Sequence, residues 1–182
     1  MEKTFSLTGR VLFLAEDPTA VERQLAGEDL TRAQAGPLRD NVSTDEITPT
    51  TRMLVFDDRL GRVPYVGLKC GDRFPIGDDA VRNGGFEVTV GGKRYGKGSS
   101  REHSPIAEKA AGIRLIVAEN FERIYRQNCH NIGLLTTSDF GIVDRLQSGE
   151  AIPIEEFLAG QDPLTQKVIL AGGLLAYTRA VA

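Results

Sequence analysis

Gly98-Ser99-Ser100-Arg101-Glu102-His103 gathers two hydroxyls, a guanidinium and an imidazole into one short segment just after Gly96. Glycine lets backbone come close to a ligand, and the planar fork of Arg101 matches a carboxylate. The segment falls where a β-rich stretch hands over to a helix, whose first N–H groups are unpaired and carry the positive end of the dipole. Together these features suit a small carboxylic acid. A competing reading makes Ser99 or Ser100 only the N-cap of the next helix, as in a Ser-x-x-Glu capping box. The residues by themselves leave both readings open. A serine acting as base would need neighbouring donors to stabilise its alkoxide, and Arg101 and the helix start could supply them. His103 is the alternative base. A triad of serine, His103 and Glu102 is disfavoured, because adjacent positions rarely converge on one point.

Two further polar clusters stand out. Asp40-Asn41-Val42-Ser43-Thr44-Asp45-Glu46-Ile47-Thr48-Pro49 concentrates hydroxyls and acceptors, and reads either as a ligand loop or as a capped turn. Asn128-Cys129-His130-Asn131 sits at an expected helix end, where capping is the simplest role, and no metal is assigned to it. Cys70 and Cys129 are the two cysteines, without a CxxC pair or a third thiol, so this chain is not expected to hold zinc or an iron–sulfur cluster.

The elements that must position these groups come from a chain of 182 residues, 41% hydrophobic and 26% charged, in keeping with one folded domain. Lys and Arg total 22 against 25 Asp and Glu with no basic run, which argues against nucleic acid or an anionic membrane as partner. No stretch reaches the roughly 20 apolar residues of a membrane helix, and no leader pattern precedes the fold, so a cytoplasmic protein is expected. Residues 4–13 read as a strand or strand pair, and 21–25 as a short helix after Asp17-Pro18. Residues 56–63 read as an exposed, mobile flap, and Tyr65-Val66-Gly67-Leu68 as a buried strand. Residues 86–90 alternate and, with Gly91-Gly92 and Arg94-Tyr95, predict a hairpin. A helix follows Pro105 and stops at Gly112; Leu115-Ile116-Val117-Ala118 is a buried strand; 121–131 is a helix; Leu134-Leu135 is a strand. Residues 140–146 and 164–180 are helical, the last weakened or split at Gly172-Gly173. The sum is a mixed α/β domain.

Three of these blocks, in order and spacing, resemble the swivel domain of the aconitase superfamily, most closely the free-standing small subunit of the 3-isopropylmalate dehydratase type. They are Ser43-Thr44-Asp45-Glu46-Ile47-Thr48-Pro49, the turn from Gly96 to His103, and Phe121-Glu122-Arg123-Ile124-Tyr125-Arg126-Gln127-Asn128 with Asn131-Ile132-Gly133-Leu134-Leu135 behind it. The resemblance implies a swivelling β/β/α domain, with a mixed sheet or barrel-like core and flanking helices, over 1–182, residues 1–39 being an N-terminal extension of the same domain. It implies a hydro-lyase that dehydrates and rehydrates a hydroxy di- or tricarboxylic acid such as 3-isopropylmalate, as in leucine biosynthesis. The 4Fe–4S cluster would belong to a large partner subunit. Ser99 would be the base, Ser100 and Arg101 would bind a substrate carboxylate, and Thr44, Asp45 and Thr48 would line the pocket. Arg52 is placed for a further carboxylate contact, with Arg59 and Arg62 as rivals. Ser104 stands where the family commonly has Ala. The alternative from another class is a regulatory or RNA-binding module that keeps the fold, against which the net charge of −3 and the intact serine–arginine turn speak.

Overall fold

The computed structural model describes residues 3–52, 57–98 and 100–182. Its centre is a four-stranded parallel sheet of β2 (Arg10–Phe13), β3 (Phe86–Val90), β4 (Leu115–Val117) and β5 (Leu135–Thr137), in that spatial order. The three residues of β4 are fully buried, which is why this strand reads as a continuous apolar run: a parallel sheet is covered on both faces. The antiparallel part of the α/β fold is a small pair, β1 (Thr4–Phe5) with β6 (Ile152–Pro153), anchored where the Phe5 ring meets Phe157 edge-on at 5.8 Å. Residues 4–13 therefore hold two strands that pair with different partners and not with each other.

Helices fill the connections. Between β2 and β3 lie α1 (Pro18–Leu25), α2 (Arg32–Ala35), α3 (Thr44–Ile47) and α4 (Ala80–Asn83). The crossovers from β3 to β4 and from β4 to β5 carry α5 (His103–Ala110) and α6 (Arg123–Asn131). After β5 come α7 (Gly141–Gln147), α8 (Glu155–Leu158), α9 (Pro163–Ala171) and α10 (Leu174–Val181). The last two are split at Gly172 and Gly173, both at positive φ, as the glycine pair predicts. Among the described residues no helix is long and apolar enough to cross a membrane.

Residues 1–39 contribute β2, an edge strand whose Leu12 and Phe13 are buried in the main core, so the described part of this segment is integral to the sheet. Its outer edge is closed by a side chain. Gln24 of α1, itself buried, accepts from Phe13 N at 2.7 Å and donates to Phe13 O at 3.0 Å, imitating a neighbouring strand. Gln24→Leu removes both bonds and is expected to cost about 2 kcal/mol, seen as a lower urea midpoint at unchanged slope. An unchanged midpoint would show that these edge groups find water instead.

Three sequence expectations are corrected. The hairpin at Gly91-Gly92 does not form: Gly91 N donates to Val117 O, Gly92 N to Arg39 O, and Tyr95 makes a parallel bridge to Phe121. These glycines serve close approach, since a Cβ on Gly92 would stand 2.2 Å from Asp40 Oδ1 and one on Gly91 2.6 Å from the Tyr95 ring. The flap is a 3-10 turn (Asp58–Arg62) pinned to α5, with Leu60 buried and Gly61 against Ala110 O; Phe56 lies outside the described residues. Residues 65–68 are not a strand, because Tyr65 takes φ +66° and turns its ring inward.

Candidate active site

The turn leaves the sheet beyond the C-terminal ends of β3 and β4, the usual position for ligands in parallel α/β sheets. Its entry is fixed by backbone. Gly96 N and Lys97 N both donate to Val42 O, at 2.8 and 3.1 Å, and Thr44 N donates to Lys97 O at 2.8 Å. The loop with Ser43 and the turn with Lys97 thus form a short parallel bridge, which joins two polar clusters far apart in sequence. Ser104, buried at the start of α5, adds a hydroxyl bond to Thr44 O at 3.1 Å.

Inside the loop a full capping box shapes α3: Ser43 Oγ accepts from Glu46 N, and the Glu46 carboxylate accepts from Ser43 N at 2.8 Å. The capped-turn reading is borne out, and the cap rigidifies the loop against the turn. On α5 the outcome differs. Its N-cap is Glu102 in helical geometry with no side-chain cap bond, so Ser100 is not spent on capping. Ser100 is exposed and lines a cavity of about 200 Å³ with Gly98, Glu122, Arg123 and Ile124. Ser99 lies outside the described residues.

Arg101 is ion-paired with Asp45, so one carboxylate already occupies part of its fork. The pair brings together two of the residues expected to bind ligand. Thr44 and Thr48 lie beneath, 1% and 0% exposed, so they support the floor and do not present their side chains to solvent. Thr48 Oγ1 finds no hydrogen-bond partner among the described residues. Arg52 is not joined to the turn. Both of its terminal nitrogens meet Asp78 at 3.2 Å, while Arg59 pairs with Asp57 and Arg62 with Asp79.

Sequence reasoning missed two features. Arg123, exposed on the first turn of α6, shares the cavity with Ser100. Beneath the turn, fully buried Glu108 accepts from Tyr65 at 2.8 Å and Tyr95 at 2.7 Å on Oε1, and from Tyr125 on Oε2. Burial pushes its carboxyl up to about 7, against the lowering effect of the three phenols. The signal was present: Ser104, Ala107, Glu108 and Ala111 follow helical spacing on one buried stripe. His130 is also buried, its Nε2 3.0 Å from Thr136 Oγ1 and its pKa pushed down to about 4 by burial, so it works in the core more than as a helix cap.

A cluster of the kind the resemblance implies does not fit the described residues. They contain no group of three His, Cys, Asp or Glu able to hold a metal. Cys70 and Cys129 are both buried, and burial raises the thiol of Cys70 to about 11 and that of Cys129 well above its ordinary value, away from the thiolate a metal requires.

Known proteins are similar to this chain in sequence and in fold. Residues 76–138, which hold β3, the turn, α5, β4, α6 and β5, match the family model of the aconitase C-terminal domain. A 3-isopropylmalate dehydratase small subunit of Methanopyrus kandleri is 38% identical over 126 residues, covering 69% of this chain and 71% of the relative. An isopropylmalate/citramalate isomerase small subunit of Methanocaldococcus jannaschii is 33% identical over 154 residues, covering 77% and 88%. The solved 3-isopropylmalate dehydratase structure from the same organism superposes with a TM-score of 0.57 at 26% identity, over 78% of this chain and 89% of that one. With its serine–arginine turn, partner loop and following helix held together at the sheet edge, this chain belongs to the aconitase-type family of 3-isopropylmalate dehydratase small subunits.

Proposed function

We propose that the chain is the small subunit of an aconitase-type hydro-lyase that dehydrates and rehydrates 3-isopropylmalate, or a close analogue such as a methyl-substituted malate, in a cytoplasmic complex with a separate large subunit. The observation that carries this reading is the stitching of the loop at residues 42–44 to Gly96 and Lys97, together with the Arg101–Asp45 pair, beyond the C-terminal ends of the central strands. Arg101 binds one substrate carboxylate, with Ser100 beside it. Asp45 holds the fork in place until substrate arrives. Thr44 and Thr48 support the floor, and Arg52 is free to serve a second carboxylate only by leaving Asp78. Ser99 takes the proton from the carbon next to a substrate carboxylate.

Loss of hydroxide is the part of the reaction for which this chain offers no Lewis acid among its described residues, and a 4Fe–4S cluster on the large subunit completes the proposal. The test is to assemble the chain with a cluster-bearing large subunit and follow alkene formation from 3-isopropylmalate and from citramalate. Turnover is expected only with both chains present. Turnover by the large subunit alone, or of neither acid by the pair, overturns the reading.

A further inference from the structure

We propose that Glu108 is a positioning residue of the substrate-binding turn, its carboxylate fixing the three segments of the site against one another through Tyr65, Tyr95 and Tyr125. The inference rests on the function proposed above for its kinetic readout, but not for its structural one. Each phenol belongs to a different segment. Tyr65 follows the 3-10 turn, and its own N donates to Ile47 O at 2.8 Å, which ties it to the 43–48 loop. Tyr95 is the last residue before Gly96. Tyr125 stands on α6, its ring so close to Gly96 that a Cβ there would lie 2.1 Å from Cγ. One carboxylate therefore gathers the loop, the turn and the cavity-lining helix at a single point.

The ionised and protonated forms of Glu108 differ in what they can hold. A carboxylate is an acceptor only, and can take all three O–H groups at once. With the Tyr65 hydrogen on Glu108, its oxygen can accept from Thr89 Oγ1 at 3.0 Å, and the 3.0 Å contact between the Tyr65 and Tyr95 oxygens then carries no hydrogen. A protonated Glu108 must itself donate, which turns one phenol hydrogen away. Among the described residues no charged group pairs with the buried carboxylate. The side chains facing it are Thr89 from β3, Tyr65, Tyr95, and Tyr125 with Cys129 nearby on α6. The 3-10 turn packs Leu60 and Gly61 on α5, while its Arg59 and Arg62 are held by Asp57 and Asp79. On α3, Asp45 and Glu46 are engaged by Arg101 and Arg39, and on α5 Lys109 reaches Ile132 O.

A buried uncompensated charge weakens the fold. The folded chain keeps this proton up to about pH 7, whereas the ordinary value is 4.5. Its contribution to stability is thus complete below about 4.5 and is lost as pH rises through about 7. A carboxyl retained at the expense of stability beneath a ligand-binding turn is the pattern of a functional group rather than a structural one.

The experiment compares wild type, Glu108→Gln and Tyr125→Phe at pH 8. In the full chain alone, hydrogen exchange at the amides of Gly96, Lys97 and Thr44 is expected to quicken about tenfold in both variants, the size of one lost charge-assisted hydrogen bond, with β4 amides unchanged. In the complex with the large subunit, KM for 3-isopropylmalate is expected to rise about tenfold with kcat less affected. The wild-type KM falls as pH rises through 7, and Glu108→Gln lacks that limb. Glu108→Gln also melts at the wild-type temperature or above it at pH 8. Equal exchange at the three amides in a folded variant overturns the proposal, as does a loss of melting temperature in parallel with activity. Should Glu108→Gln not fold, Tyr125→Phe, which keeps the ring against Gly96, decides alone. If the wild-type complex turns over no acid, the proposed function fails while the exchange result still judges Glu108.

Discussion

Ser99→Ala is expected to lower kcat of the assembled enzyme by about 10²–10⁴-fold, the range for removing a positioned general base, with little change in KM. A hydroxyl is far too weak an acid to be ionised at neutral pH, so its basicity must come from neighbours that stabilise the alkoxide as it forms. Two candidate donors follow it in the chain. Arg101 is two residues on, and α5 begins at His103 with its N-cap at Glu102, whose side chain makes no cap bond. Asp45 modulates the first of these. While it pairs with Arg101 it cancels part of the positive field; under the proposed function a substrate carboxylate would displace it and change that balance when the site is filled. Stopped or steady-state assays of alkene formation on the complex check the outcome. Turnover by Ser99→Ala within a few-fold of wild type would remove Ser99 as the base and leave His103 as the next candidate.

Gly96→Ala is expected to destabilise the chain by about 2–5 kcal/mol, combining an unfavourable positive φ with overpacking. Gly96 has φ +80°, and its added methyl would meet Tyr125 Cγ at 2.1 Å and Cβ at 2.4 Å. Tyr125 cannot swing aside cheaply, because its hydroxyl is bonded to Glu108 and its ring packs on Tyr95 with centroids 5.5 Å apart. Gly98 is the internal control. It too has positive φ, +113°, but among the described residues an added methyl would meet only Thr44 Oγ1, at 3.3 Å. Gly98→Ala should therefore show chiefly the backbone penalty, about 1–2 kcal/mol. Urea unfolding of both variants checks the order. Equal losses would show that the Tyr125 contact relaxes and that backbone geometry alone governs the turn.

Local features of the fold were legible in the sequence because their signals are local. The Asp17 cap and Pro18 mark α1, and Gly112 marks the end of α5. The glycine pair at 172–173 marks the break between α9 and α10. The apolar run of β4 announced a strand covered on both faces. The hairpin after β3 was misread for a definite reason. Gly-Gly between alternating segments signals either a tight turn or a close approach, and only the positions of Asp40 and Tyr95 decide between them. The supposed flap failed similarly: its charges are exposed, but Leu60 and Gly61 seat it on α5, a contact no short window reveals.

The turn from Gly98 to His103 shows the same division. Residue types alone suited it to a carboxylate but left a helix cap equally open, and motif order pointed to the family. Tertiary structure decided that Ser100 does no capping, that Asp45 sits in the Arg101 fork, that Arg52 answers to Asp78, and that Glu108 lies beneath the turn among three phenols. Caps and turns are made by residues a few positions apart, so their energies are written in short stretches of chain. Which charges meet, and which carboxyl is buried, depends on segments tens of residues apart being closed into one core.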